Sequence, residues 1–74
     1  MDRFAITRKL GELQRDLASR ATNGDGRARE LLELPVGHGV KAERKCLVVL
    51  GEYYRDLGIA DRYGLDLNDL IQGD

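Results

Sequence analysis

The strongest constraint on this chain is the spacing of the apolar residues between Lys41 and Tyr63. They recur at steps of four, three, four, four and three: Ala42, Cys46, Val49, Tyr53, Leu57 and Ala60. Such steps place side chains on one face of a helix, whereas a strand alternates apolar and polar residues. The same stretch holds the densest apolar run, residues 46–50, and all three tyrosines. We therefore predict that a long helix beginning near residue 41 supplies most of the core.

A second helical pattern lies at the front of the chain, over residues 2–21. Its stripe is spaced four, three and four and is widened by two flanking residues: Ile6, Leu10, Leu13 and Leu17, continued by Ala21, with Phe4 and Ala18 beside them. Asp2 is a suitable N-cap, because its carboxylate can accept a hydrogen bond from an orphan backbone N–H. Two opposite-charge pairs at a spacing of four are expected on the outer face, Arg8–Glu12 and Asp16–Arg20.

Turn-forming residues separate these helices and frame a short third one. The segment 22–26, Thr-Asn-Gly-Asp-Gly, is a strong break because Asn, Asp and Gly tolerate positive φ. A helix over about residues 26–33 is expected to begin with Asp25 as its cap. It should end before Pro35, which pushes Leu34 out of the helical region. The apolar side of this helix consists of Ala28, Leu31 and Leu32.

The end of the long helix allows two interpretations. Either Gly58 closes it in a left-handed turn, or the helix continues to Tyr63 and Gly64 takes that part. Beyond it, Asp66 is expected to cap a last turn whose inward-packing residues are Leu67, Leu70 and Ile71. The fold class is all-α, a small bundle of three main helices with a short C-terminal helix or turn, in a single helical domain over residues 1–74.

The size of the chain favours self-association. A chain of 74 residues buries roughly 60–65% of its unfolded surface, so its margin of stability is small. Domains of this size gain stability from a disulfide, a metal, an oligomer or very regular helix packing. One cysteine excludes an internal disulfide, and one cysteine with one histidine does not fill the usual zinc site. Regular packing and self-association remain, and we expect a homodimer.

Charge is abundant but nearly balanced, with 34% charged residues and a net charge of −1. Residues 1–45 carry ten Lys or Arg and seven Asp or Glu, whereas residues 46–74 carry two and six. The basic front and acidic back favour charge pairing within or between chains. They fall short of the strongly basic face of a nucleic-acid-binding protein. With no signal peptide, no membrane-spanning run and an unpaired cysteine, we expect a cytoplasmic protein without membrane contact.

Residues 57–71, LGIADRYGLDLNDLI, have the pattern of two crossing helices. They supply the small residue, the turn glycine and the apolar anchors of a helix-turn-helix unit: Ile59, Ala60, Gly64, Leu65 and Leu70. The stretch resembles that unit and the last two helices of phage-repressor-like domains, which implies a DNA-binding regulator. Its recognition helix, however, would bring carboxylates to the phosphates, which repel them: Asp66 and Asp69, with Asp74 at the end.

The same stretch resembles the end of the helical core of MazG-type nucleotide pyrophosphohydrolases, which implies an Mg²⁺-dependent enzyme. In that family, acidic residues precede the alanine–aspartate pair on the same helix, at positions where this chain has Val48 and Gly51. Other acids are present in the Glu-Leu-Leu-Glu of residues 30–33 and at Glu52 and Asp56. Mg²⁺ needs oxygens that converge on one point, and we expect these acids to face solvent instead.

No other residues form a recognisable catalytic set. Cys46 lies on the apolar face without a histidine three or four residues away, so we expect a buried, unreactive thiol. His38 and Ser19 lack the partners of a catalytic triad. The Gly37-His38-Gly39 loop leaves two interpretations, a flexible connection or an anion site formed by glycine N–H groups at a helix N-terminus.

These observations predict a non-catalytic protein-binding or regulatory module, with no enzyme activity and no cofactor, that acts through protein–protein contacts. The helix-turn-helix and MazG-type functions remain as alternatives. One of the two adjacent tyrosines is expected in the core and the other at the surface, where tyrosine often anchors an interface. The candidate interface of a homodimer or partner complex is predicted to contain Leu10, Leu13, Tyr53 and Tyr54.

Overall fold

The computed structural model describes residues 3–72 and shows an all-α fold, as predicted. Its elements, in chain order, are α1 (Arg3–Thr22), α2 (Gly26–Leu32), α3 (Val40–Asp56), a 3-10 turn (Ala60–Tyr63) and α4 (Leu67–Gln72). α1 packs against α2 and α3, and α3 packs in turn against the 3-10 turn and α4. The predicted N-cap Asp2 and the terminal Asp74 lie outside the described residues.

α1 buries the stripe that its spacing predicts, Ile6, Leu10, Leu13 and Leu17. Phe4 and Ala18 do not widen it, because both side chains are exposed, Phe4 by 78%. A stripe of this spacing covers an arc of about 100°, and α2 and α3 both dock within it. The predicted Asp16–Arg20 pair is confirmed, with 2.7 Å between Oδ2 of Asp16 and Nε of Arg20. Glu12 pairs with Lys9 rather than with Arg8, and its Oε2 lies 3.1 Å from Nζ of Lys9.

The predicted cap of α2 is confirmed. Asp25 has an extended backbone, and its Oδ1 accepts hydrogen bonds from the backbone N–H groups of Arg27 and Ala28 at 3.0 and 3.1 Å. Ala28 is fully buried against α1, so the cap fixes the point at which α2 meets the core. The helix ends at Leu32, three residues before Pro35.

α3 presents a different face to the core from the one predicted. Its buried residues are Leu47, Leu50, Gly51, Tyr53 and Tyr54, while Val49 and Leu57 of the predicted stripe are 41% and 46% exposed. All five residues of the run 46–50 are apolar, so the run fits more than one apolar helical stripe, and these stripes are offset from one another by about one residue. Burial selects the one with leucine and tyrosine, because larger side chains remove more apolar area from water.

The first interpretation of the end of α3 is the one observed. The N–H of Ile59 donates to the carbonyl of Tyr54 at 3.0 Å, and the N–H of Gly58 donates to the carbonyl of Arg55 at 2.9 Å. This is the Schellman pattern, and Gly58 takes the left-handed conformation it requires, with φ of 75°. Gly64, with φ of 65°, closes the 3-10 turn in the same way.

α4 is short and packs closely on α3. Asp66 caps it as predicted, its Oδ1 accepting from the N–H of Asp69 at 3.2 Å. Leu70 is buried as predicted, but Ile71 is 67% exposed. Gly51 makes the approach possible, because a Cβ there would lie 2.6 Å from Cδ2 of Leu67.

Candidate functional site

The four residues of the predicted interface lie inside the chain's own core. Leu10, Leu13, Tyr53 and Tyr54 are each at most 5% exposed. Side chains buried to this degree offer no surface to a second protein unless the monomer first opens. Their role in an interface stays a prediction, which requires the monomer to open, whereas the prediction that one of the two tyrosines is exposed is wrong. Both are buried because each hydroxyl finds a carboxylate within the bundle.

Asp16 is the acceptor for one of these tyrosines. The hydroxyl of Tyr54 donates to Oδ2 at 2.6 Å, and the hydroxyl of Tyr63 donates to Oδ1 at 2.9 Å. The guanidinium of Arg20 donates to Oδ2 at 2.7 Å and to the Tyr63 hydroxyl at 3.1 Å. The two rings lie 4.6 Å apart between centroids. One carboxylate on α1 thus holds α3 and the 3-10 turn together.

The protonation equilibria follow from this arrangement. Burial alone would raise the pKa of Asp16, but the hydrogen bonds from Tyr54, Arg20 and Tyr63 outweigh it, so that its pKa is lowered. Burial, and then the hydrogen bond to Asp16, raise the pKa of Tyr54 well above the usual value. The ionised carboxylate and the neutral phenol are therefore the stable pair at neutral pH.

Asp25 is the acceptor for the other buried tyrosine. Its Oδ2 accepts a short hydrogen bond from Tyr53, while Oδ1 caps α2, and the Arg27 guanidinium lies 5.6 Å above the Tyr53 ring. The bond from Tyr53, and next the N–H of Ala28, lower the pKa of Asp25. Burial, and then this bond, raise the pKa of Tyr53 to about 12. Among the side chains of residues 3–71 no buried polar atom lacks a partner, and both carboxylate–tyrosine clusters are structural ties.

The candidate reactive side chains are not brought together. Cys46 is half-buried rather than buried, and burial raises the pKa of its thiol, which lowers its reactivity at neutral pH. His38 is exposed in a loop whose flanking glycines, Gly37 and Gly39, have φ of 82° and 95°. These values fit a connection that turns sharply.

The residues of the two family resemblances can also be located. Within the described part of the chain, no three His, Cys, Asp or Glu side chains converge as a metal site requires. Asp56 instead lies 3.4 Å from a guanidinium nitrogen of Arg27 and 3.7 Å from one of Arg55. α4, which would be the recognition helix, has Asp69 in its first turn and no basic residue in its last. The DNA-binding and MazG-type functions thus gain no support from the side chains that would perform them.

The outward face of α3 is the most distinctive surface of the molecule. Five exposed residues follow one another at steps of four, four, three and four and, with half-buried Val48, form what we call the α3 ridge: Lys41, Lys45, Val49, Glu52 and Asp56. The apolar spacing predicts Val49 in the core and gives no indication of this ridge. The signal that could have revealed it is the order of residue types at helical spacing: two lysines, an apolar centre and two acidic residues.

An open groove runs along each side of the ridge. The first, of about 510 Å³, lies between the ridge and α4 and includes Leu70 and Ile71 in its lining. The second, of about 350 Å³, lies between the ridge and the loop before α3, and its wall is formed by residues 34–36, Leu-Pro-Val. Lys45 and Val49 line both grooves. The ridge and its grooves therefore make one continuous surface with an apolar centre.

Comparison with known proteins adds no relative to this picture. No protein family, no curated protein and no solved structure matches the chain. None of the helices within residues 3–72 has the length and apolar character needed to cross a membrane. The functional argument therefore rests on the surface just described.

Proposed function

We propose that this chain is a non-catalytic protein-binding or regulatory module that contacts its partner through the α3 ridge and the two grooves beside it. The single observation that carries the proposal is the position of Val49, which is 41% exposed and shared by both grooves. A partner side chain placed on Val49 has apolar walls on both sides, at Ile71 and at Leu34. Exposed apolar surface with a polar rim is typical of protein-interaction sites.

The charge on the rim gives the surface a preference. Lys41 and Lys45 are exposed at the N-terminal end of the ridge, where Lys41 lines the first groove and Lys45 lines both. Complementary charge speeds the encounter with a partner and disfavours wrong partners more than it adds affinity. A segment with acidic residues around an apolar anchor therefore fits this end of the ridge. A cytoplasmic location is part of the proposal, because an unpaired cysteine is typical of proteins in a reducing compartment.

Site-specific photo-crosslinking in the source cell tests this proposal. A photoreactive amino acid replaces Val49, and a matched control replaces Ser19, an exposed residue on the outward side of α1. Light should join the chain to a defined protein from position 49 and not from position 19, and mass spectrometry of the adduct identifies that protein. Circular dichroism confirms that both variants are folded.

The adduct also reports what kind of contact is made. An adduct of twice the chain mass indicates a second copy, and any other defined mass indicates a different protein. Absence of any adduct at position 49, or identical adducts at both positions, would overturn the proposal that the α3 ridge is a protein-contact surface.

A further inference from the structure

The order of charges along the α3 ridge is unusual for a helix on its own. The basic residues Lys41 and Lys45 lie in the half nearer the N-terminus, and the acidic residues Glu52 and Asp56 lie in the half nearer the C-terminus. The helix macrodipole favours the opposite order, with acids at the N-terminus and bases at the C-terminus. The ridge therefore gains nothing from the dipole of its own helix.

Neighbouring charges along the ridge also repel one another. Lys41 and Lys45 are four residues apart, as are Glu52 and Asp56, and like charges at this spacing destabilise a helix. Within residues 3–72, Lys41, Lys45 and Glu52 have no ion-pair partner. These three charges are available to pair with a surface of reversed order outside the monomer.

A second copy of this chain, when its α3 runs antiparallel to the first, presents the same charges in reversed order. We infer that two copies pair through their α3 ridges in antiparallel orientation, with the two-fold axis between Val48 and Val49. This deepens the proposed function, because it names one occupant of the same surface. In this register Lys45 of each copy faces Glu52 of the other, and Lys41 faces Asp56. Val48 of each copy packs on Val49 of its partner at the axis.

The geometry of α3 allows this pairing over the full ridge. Lys41 and Asp56 are separated by about 22 Å along the helix axis, at 1.5 Å per residue. Helices crossing at about 20° stay in contact over such a length, at an interaxial distance of roughly 8–10 Å. Antiparallel pairing also sets the N-terminal half of each α3, with its lysines, beside the acidic half of the other. Each member of the ridge then has a partner of opposite charge or of apolar character.

The extent of the ridge can be compared with the area that a stable dimer buries. A standard interface buries roughly 800 Å² on each partner, about a sixth of the 5007 Å² that this chain exposes. The ridge alone is narrower, so we expect the groove walls at Leu34 and Ile71 to be covered as well. Because Asp56 already lies near Arg27 and Arg55, the central Lys45–Glu52 pairs carry more of the specificity than the outer pairs. A weak dimer that depends on concentration is the expected form.

Charge reversal with the purified full chain tests the register. Four samples are compared by sedimentation equilibrium over concentrations up to about 1 mM, where even a weak Kd is measurable: wild type, Lys45→Glu, Glu52→Lys and the double variant. Each single variant places like charges opposite each other at two symmetry-related sites. We expect each to raise the dimer Kd by roughly 10- to 30-fold, from two exposed pairs changed from attraction to repulsion. The double variant should return to within about 3-fold of wild type.

A mixture of the two single variants supplies a second arm. One copy then carries Glu at both positions 45 and 52, and the other carries Lys at both, so we expect a heterodimer to form although each variant pairs with itself more weakly than wild type does. Both residues are exposed, and circular dichroism verifies that the variants fold. Wild type that stays monomeric throughout, single variants that dimerise like wild type, or a mixture that fails to associate would each overturn the antiparallel pairing.

These outcomes separate the two proposals. If the purified chain is monomeric while photo-crosslinking from position 49 joins it to a different protein, the pairing is wrong and the binding surface stands. If neither measurement shows a contact at the ridge, both proposals are wrong.

Discussion

Replacing Tyr54 by phenylalanine isolates the interaction that holds α1 to the second half of the chain. The ring of Tyr54 is fully buried and remains in place, and only the hydroxyl that donates to Asp16 at 2.6 Å is removed. Hydrogen bonds to charged groups contribute about 1.5–3 kcal/mol to stability. We expect Tyr54→Phe to lower the free energy of unfolding by about 2 kcal/mol, near the middle of that range. For a domain of this size, that corresponds to a fall in Tm of roughly 8–16 °C.

The assay is urea unfolding at pH 7 followed by circular dichroism, arranged as a double-mutant cycle with Asp16→Asn. Tyr63→Phe is the matched control, because its hydroxyl donates to the same carboxylate at 2.9 Å from a half-buried ring. The control should cost about 1 kcal/mol, below the range for hydrogen bonds to charged groups, because water can replace the bond made by a half-buried hydroxyl. The coupling energy between positions 16 and 54 should be about 1–2 kcal/mol, within the range for residues in one network.

Two results would refute this reasoning. If Tyr54→Phe changed the stability by less than about 0.5 kcal/mol, the effect would be that of an ordinary surface substitution and not of a buried charged hydrogen bond. If the two substitutions were additive, the hydroxyl and the carboxylate would not stabilise the fold through each other.

Further substitutions and a pH titration, all read by the same unfolding assay, test other parts of the fold. Since the pKa of Tyr53 is raised to about 12, the unfolded chain loses this proton first, and the stability should fall as the pH rises from about 10 to about 12. Gly11→Ala should add about 0.5–1 kcal/mol, because it improves helix propensity and the nearest atom is 3.9 Å from the new Cβ. Gly51→Ala should instead cost up to about 2 kcal/mol, because its Cβ would collide with Leu67, and a gain equal to that of the Gly11 variant would contradict close packing of α4. Gly64→Ala should cost about 1–2 kcal/mol through its positive φ, and an unchanged stability would show that the turn relaxes.

The local features of the fold could be predicted from the sequence because each depends on residues close together in the chain. The buried stripe of α1 has no competitor, since the other faces of that helix are largely polar. The Asp25 cap and the left-handed Gly58 involve backbone groups only a few residues away. These features can therefore be recognised in the sequence without knowing how the helices pack.

The orientation of α3 could not be predicted in this way. The run Cys46–Leu50 allows more than one apolar stripe, and periodicity alone does not choose between them. The choice depends on Tyr53 and Tyr54, whose hydroxyls are satisfied by Asp25 and Asp16, 28 and 38 residues earlier in the chain. α3 is rotated about its axis relative to the orientation that its periodicity predicts. This rotation turns Val49 outward, so the candidate surface lies where the sequence predicts the core.

The carboxylate of Asp16 has a consequence for how the chain is made. Its hydrogen-bond partner Tyr63 follows it by 47 residues. At a synthesis rate of about 5–20 residues per second, the ribosome adds Tyr63 roughly 2–10 s after Asp16. In the early part of that interval, before α2 and α3 have been made, α1 is an amphipathic segment without the surfaces that bury its leucines, and short isolated helices are marginal in water. The fold is therefore completed only after Tyr63 has been synthesised, and until then Asp16 lacks part of the network that ties α1 to the 3-10 turn.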